Sequence, residues 1–99
     1  MAVIEFIQSL LGEEFGKVKS VCKGGSWLYT QTPEGEIKQK ICVPRLETSE
    51  EGKPIGELLS WDLADEDVLF IETDRGVIVK DGSLYRFYKK GSYRWNWKK

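Results

Sequence analysis

The chain contains no histidine, so any general acid or base work would fall to carboxylates, lysine or tyrosine. Ser-His-Asp and Cys-His nucleophiles are excluded outright. Carboxylates crowd at Asp62, Asp65, Glu66 and Asp67, where oxygen ligands could hold a hard cation. Their spacing departs from the calcium-loop pattern, which wants acids at alternate positions followed by glycine, so a solvated acidic loop with at most weak Mg²⁺ binding is expected. Glu36-Ile37-Lys38 has the acid-x-lysine form found on metal-binding strands of nucleases. It lacks the upstream aspartate that would complete such a site, because the first aspartate in the chain is Asp62. Alternation on an exposed strand produces the same triplet by chance.

Cys22 and Cys42 are the only cysteines, with no CxxC spacing, so a structural zinc site has too few ligands. They fall in separate predicted strands, so a bridge between them is geometrically open, and in a reducing cytoplasm they read as buried free thiols. Lys23-Gly24-Gly25-Ser26 is a turn, not a phosphate-binding loop. The residues therefore predict no catalytic group, no metal and no cofactor.

What remains is surface chemistry. Residues 1 to 46 carry six basic and five acidic side chains, residues 47 to 74 one basic and ten acidic, and residues 75 to 99 eight basic and one acidic. Such segregation yields either two segments that neutralise each other in the fold or two patches that meet different partners. The acidic candidates are Glu50, Glu51, Asp62, Asp65, Glu66 and Asp67. The basic candidates lie in Leu84 to Lys99, which holds six of the twelve aromatics and six of the fifteen basic residues.

That last stretch reads as a strand, a turn at Lys89-Lys90-Gly91 and a second strand. A three-residue loop places glycine at the left-handed position and pairs Phe87 with Tyr93 and Tyr85 with Trp95. Tyr85, Phe87, Tyr93, Trp95 and Trp97 would then share one face, mostly core. Arg86, Tyr88, Arg94 and Asn96 would share the other, with Lys89, Lys90 and Lys98 at its ends. The basic face has the composition of a nucleic-acid surface, and Trp95 or Trp97 could anchor a protein partner.

The elements that must position these residues follow from periodicity. Val3, Ile4, Ile7, Leu10 and Leu11 make one apolar face of a helix over residues 2 to 11. Residues 16 to 43 read as a three-stranded antiparallel meander, with turns at Lys23-Gly24-Gly25-Ser26 and Thr32-Pro33-Glu34-Gly35. Residues 44 to 66 lack strand periodicity and read as an acidic lid or crossover, with a helical turn or two behind Pro54. Residues 67 to 98 read as a second meander whose first strand, Val68-Leu69-Phe70-Ile71, is apolar on both faces and belongs at the sheet centre. The expected fold is one α+β domain: a helix on a mainly antiparallel sheet or partly open barrel of about seven short strands.

Ninety-nine residues suit one core. No apolar run is long enough for a bilayer, and the N-terminal apolar stretch has no basic residue before it, so a soluble cytoplasmic protein without membrane attachment is expected. The functional expectation is a non-enzymatic interaction domain, an adaptor or inhibitor with a protein partner. The alternative is binding of single-stranded nucleic acid on the basic C-terminal face, against which the sequence pI of about 5.5 counts.

Overall fold

A computed structural model describes residues 3–24, 27–41, 45–55, 68–82 and 84–96. Helix α1 (Val3–Leu10) buries Ile4 and Ile7. A single 3-10 turn, Glu13–Phe15, leads into β1 (Val18–Lys23), β2 (Trp27–Thr32) and β3 (Gly35–Lys40). Two short strands follow, β4 (Arg45–Glu47) and β5 (Lys53–Ile55), and then β6 (Val68–Thr73), β7 (Gly76–Asp81), β8 (Leu84–Lys89) and β9 (Arg94–Asn96).

Seven strands form one open antiparallel sheet in the order β3-β2-β1-β6-β7-β8-β5, and β4 pairs with β9 as a separate ribbon. Among the described residues the sheet does not close into a barrel. The first meander is present, as are the first three strands of the second, β6-β7-β8, and the two join where β1 pairs with β6. β6 is the fourth of the seven strands, where its continuous apolar run placed it.

Both faces of this sheet are apolar, and two bulges set which side chains share a face. Lys19 stands unmatched where the partner steps from Thr73 to Glu72, and Leu69 stands unmatched where β1 steps from Cys22 to Lys23. An extra residue inverts the alternation. Val18 and Val21 therefore point to the same side, as do Val68 and Ile71. Together with Ile78 and Tyr85 they form the first core, under Ile4 and Ile7 of α1. Cys22, Phe70 and Val77 form the second core on the opposite face.

α1 is fastened by side chains from elsewhere in the chain. Glu36 Oε1 of β3 accepts the Ile4 N–H at 2.7 Å, satisfying one of the helix's orphan donors with a negative charge at its positive end. Gln8 accepts the Val18 N–H at 2.7 Å and donates to the Gly16 carbonyl at 3.3 Å, stitching the helix to the start of β1. No helix among the described residues is long and apolar enough to cross a membrane.

The C-terminal hairpin is not formed as expected. Gly91 does take the left-handed conformation, with φ +92°, and Ser92 N–H donates to the Lys89 carbonyl at 3.1 Å. However, the far side of β8 is occupied by β5, which pairs Lys53 with Phe87 and Ile55 with Tyr85. β9 instead crosses the sheet and pairs with β4, Leu46 opposite Trp95. The aromatics thus divide. Tyr85 and Phe87 join the helix-side core, whereas Tyr88, Tyr93 and Trp95 pack on the second core. Among the described residues the sheet has two apolar faces and one helix: a β8–β9 hairpin would have put Tyr93 and Trp95 on the α1 side with Tyr85 and Phe87, away from Cys22, Phe70 and Val77.

The stretch between the meanders also differs from expectation. Part of it forms β4 and β5, and Pro54 lies in the edge strand β5, where a missing N–H is tolerated, rather than at a helix start. Leu58 and Leu59 lie outside the described residues.

Candidate functional site

Arg86 projects from β8 toward the segment that carries the acidic candidates. Its Nη1 donates to the Gly52 carbonyl at 2.9 Å and lies 3.5 Å from Glu51 Oε1, while its Nε donates to Asp81 Oδ2 at 3.1 Å. Its side chain is one-fifth exposed, whereas Glu51 and Asp81 are mostly open to water. The charge of Arg86 is therefore spent within the fold, holding the β5 segment against β8 more by geometry than by ion-pair energy. The Gly52 backbone packs directly on the Tyr88 ring. Thr48 Oγ1 donates to the Ser92 carbonyl at 2.7 Å, which ties the same segment to the turn before β9.

The fold brings Glu50, Glu51, Tyr88 and Lys89 around a cleft of about 260 Å³, with Phe87 in its wall. Acidic and basic segments thus lie side by side here. Lys89 and Lys90 are exposed at the turn, and Arg94 is exposed on β9 opposite Glu47. Trp95 is half-buried, its ring 4.9 Å from Phe70 and 5.6 Å from Tyr93, as a lid on the second core. Asp62, Asp65, Glu66, Asp67, Trp97 and Lys98 lie outside the described residues, as does Cys42.

Burial raises the Cys22 thiol above its ordinary value of 9.0, and burial followed by the Glu72 charge raises the Tyr93 phenol above 10.0. Both groups favour their protonated forms in the folded chain. Their contribution to stability is complete below the unfolded values and is lost as pH climbs from those values through the raised folded ones. Denaturation midpoints should accordingly decline above pH 9.0 and more steeply above 10.0, and Tyr93→Phe should flatten the upper part of the profile. Equal slopes for the two proteins above pH 10.0 would contradict this assignment.

A different surface assembles at the opposite end of the sheet. The turn at Pro33-Glu34 sets Trp27 opposite Lys40 and Tyr29 opposite Lys38. Residues opposed in this way share a face, and Tyr29 places it on the α1 side. Lys38 Nζ lies 4.3 Å from the Trp27 ring centroid and 5.6 Å from that of Tyr29; Lys40 Nζ lies 5.8 Å from Trp27. These are cation–π distances. Neither lysine makes an ion pair with a described residue. Trp27 is 36 % exposed and Ile37, on the other face of β3, 40 %.

The emphasis on the C-terminal aromatics passed over this patch. Its signal was present in the sequence, since Trp-x-Tyr and Lys-x-Lys alternate on either side of one tight turn, and the turn alone fixes which residues oppose each other.

No protein-family model, no curated protein and no solved structure matches the chain.

Proposed function

We propose that this chain is a non-enzymatic interaction domain that takes up an extended segment of a protein partner along the outer edge of β3. One observation carries the reading: the two edges of the sheet are unlike. β5 is three residues long and contains Pro54, whereas β3 is six residues long, and no described strand pairs with its outer side. An unpaired strand of that length offers a row of backbone donors and acceptors to an added strand. Trp27 beside it supplies an aromatic anchor of the kind enriched at interface hot spots. Lys38 and Lys40 guard the edge against indiscriminate pairing and favour a partner with carboxylates at matching positions.

The protein-partner class is the one the segregated charge suggested, with the contact surface moved from the C-terminal residues to β2 and β3. The move is supported by Arg86, whose charge is already matched by Glu51 and Asp81.

Single-stranded nucleic acid is the competing occupant, since aromatics flanked by lysines form stacking platforms. It has to displace the ammonium that lies 4.3 Å above the Trp27 ring. A photo-crosslinking amino acid at position 37 should give a protein adduct in cells, abolished by Lys38→Pro. Tryptophan-fluorescence titration with oligonucleotides at low salt should show no binding. Oligonucleotide binding lost with Lys38→Ala and Lys40→Ala, together with the absence of a protein adduct, would replace this reading with the nucleic-acid one.

A further inference from the structure

The charges of β3 and its turn are antisymmetric about one residue. From Glu34 the chain reads Glu-Gly-Glu-Ile-Lys-Gln-Lys, so each acid on one side of Ile37 has a lysine at the same distance on the other. A strand paired antiparallel with its own copy has its two-fold axis through a residue facing itself, because side chains directly opposed must lie on the same face. Centred on Ile37, that pairing sets Glu36 opposite the copy's Lys38 and brings Glu34, in the turn just before the strand begins, toward the copy's Lys40. Each contact occurs twice. Centred on Lys38 it opposes two lysines, and centred on Glu36 it opposes two glutamates. Shifts to Gly35 or Gln39 also oppose like charges.

Only the Ile37 register is free of repulsion, and it also brings together two Ile37 side chains that are 40 % exposed in the single chain. We propose, resting on the docking of a partner strand at β3, that the partner is a second copy of this chain, joined β3 to β3 about Ile37. The interface is isologous, so every favourable contact is doubled. The two Glu36–Lys38 ion pairs fall on the face that carries Trp27 and Tyr29, and the paired isoleucines on the other.

Sedimentation of the purified chain over rising concentration tests the pairing. The mass should climb from 11.4 kDa toward twice that value, reaching it by about 1 mM, as a small interface of this kind predicts. Lys38→Glu with Lys40→Glu makes the strand wholly acidic, and Glu34→Lys with Glu36→Lys makes it wholly basic. Each variant alone should associate at least about tenfold more weakly, since like charges now face each other. Mixed in equal amounts, the two should associate at least as well as the unaltered chain, because every opposed pair is again unlike.

Glu36 also accepts the Ile4 N–H, so folding of the basic variant is checked by circular dichroism. The pair Lys40→Glu and Glu34→Lys, which leaves that bond intact, repeats the experiment if it fails. A chain that stays monomeric to about 1 mM, a dimer indifferent to all four substitutions, or a mixture no stronger than its components would each overturn the self-pairing. If the position-37 crosslink then captures a different protein, docking at β3 stands and only the identity of the partner falls. No adduct at all removes both.

Discussion

Trp95→Ala should lower the stability of the folded chain by about 3 kcal/mol, a large part of the roughly 5 to 15 kcal/mol typical of such domains. The ring packs on Phe70 and Tyr93, and with Leu46 it lies over a core of Cys22, Phe70 and Val77. Removing it opens a cavity and lets water reach that core from one side. The variant should therefore show a second effect in a Cys42→Ser background: the buried Cys22 thiol becomes reactive toward an aromatic disulfide reagent under native conditions. Ile7→Ala, which weakens the opposite core, should cost a comparable amount without exposing the thiol. If Trp95→Ala changed the urea midpoint by less than about 1 kcal/mol equivalent, or left Cys22 protected, β9 would not be the cover of the second face.

That contrast marks where the sequence was legible and where it was not. The helix, the first meander and the central position of Val68–Thr73 follow from local periodicity and turn residues, which carry their own register. The partner of β9 does not. Leu84 to Lys99 looks like a self-sufficient hairpin because its turn is well formed, yet a turn constrains only the residues beside it. Pairing was decided by a competitor, β5, whose three residues carry no periodic signal. The bulges at Lys19 and Leu69 were equally hidden, since a single inserted residue exchanges core and surface without altering composition. One indication was available: Val68 to Ile71 and Val77 to Val79 are apolar on both sides, and the N-terminal helix, eight residues long, cannot cover two faces. Of the candidate site, the residue types of β2 and β3 were readable. Their consequence depended on knowing which strand ended the sheet.

Gly76→Ala should cost about 3 kcal/mol for a reason independent of the cores. A Cβ there would sit 2.2 Å from the Tyr88 carbonyl oxygen and 2.9 Å from the Phe87 ring, where β7 begins opposite the end of β8. The near atom is backbone, so relief requires the strands to separate. Gly91→Ala is the matched control: its φ of +92° makes alanine unfavourable, but nothing lies within 4 Å of the added carbon. The control should lose only about 1 kcal/mol. Equal losses in thermal or urea denaturation would mean that conformation, not the approach of β7 to β8, sets the requirement for glycine at 76.

The unlike edges of the sheet bear on how far any assembly of this chain can grow. A sheet open at both sides is a template for indefinite addition, each copy leaving a fresh edge for the next, and the product is a fibre. Here Pro54 and the brevity of β5 blunt one side, so among the described strands an addition at β3 leaves no second edge of comparable length exposed. The proposed association through β3 is therefore self-limiting. It closes at two when the added strand is another copy and at one when it belongs to a different protein. In the proposed dimer the isologous contact consumes both β3 edges, and a proline in a three-residue strand keeps the opposite edge from extending the assembly, so replacing it with threonine should promote polymerisation.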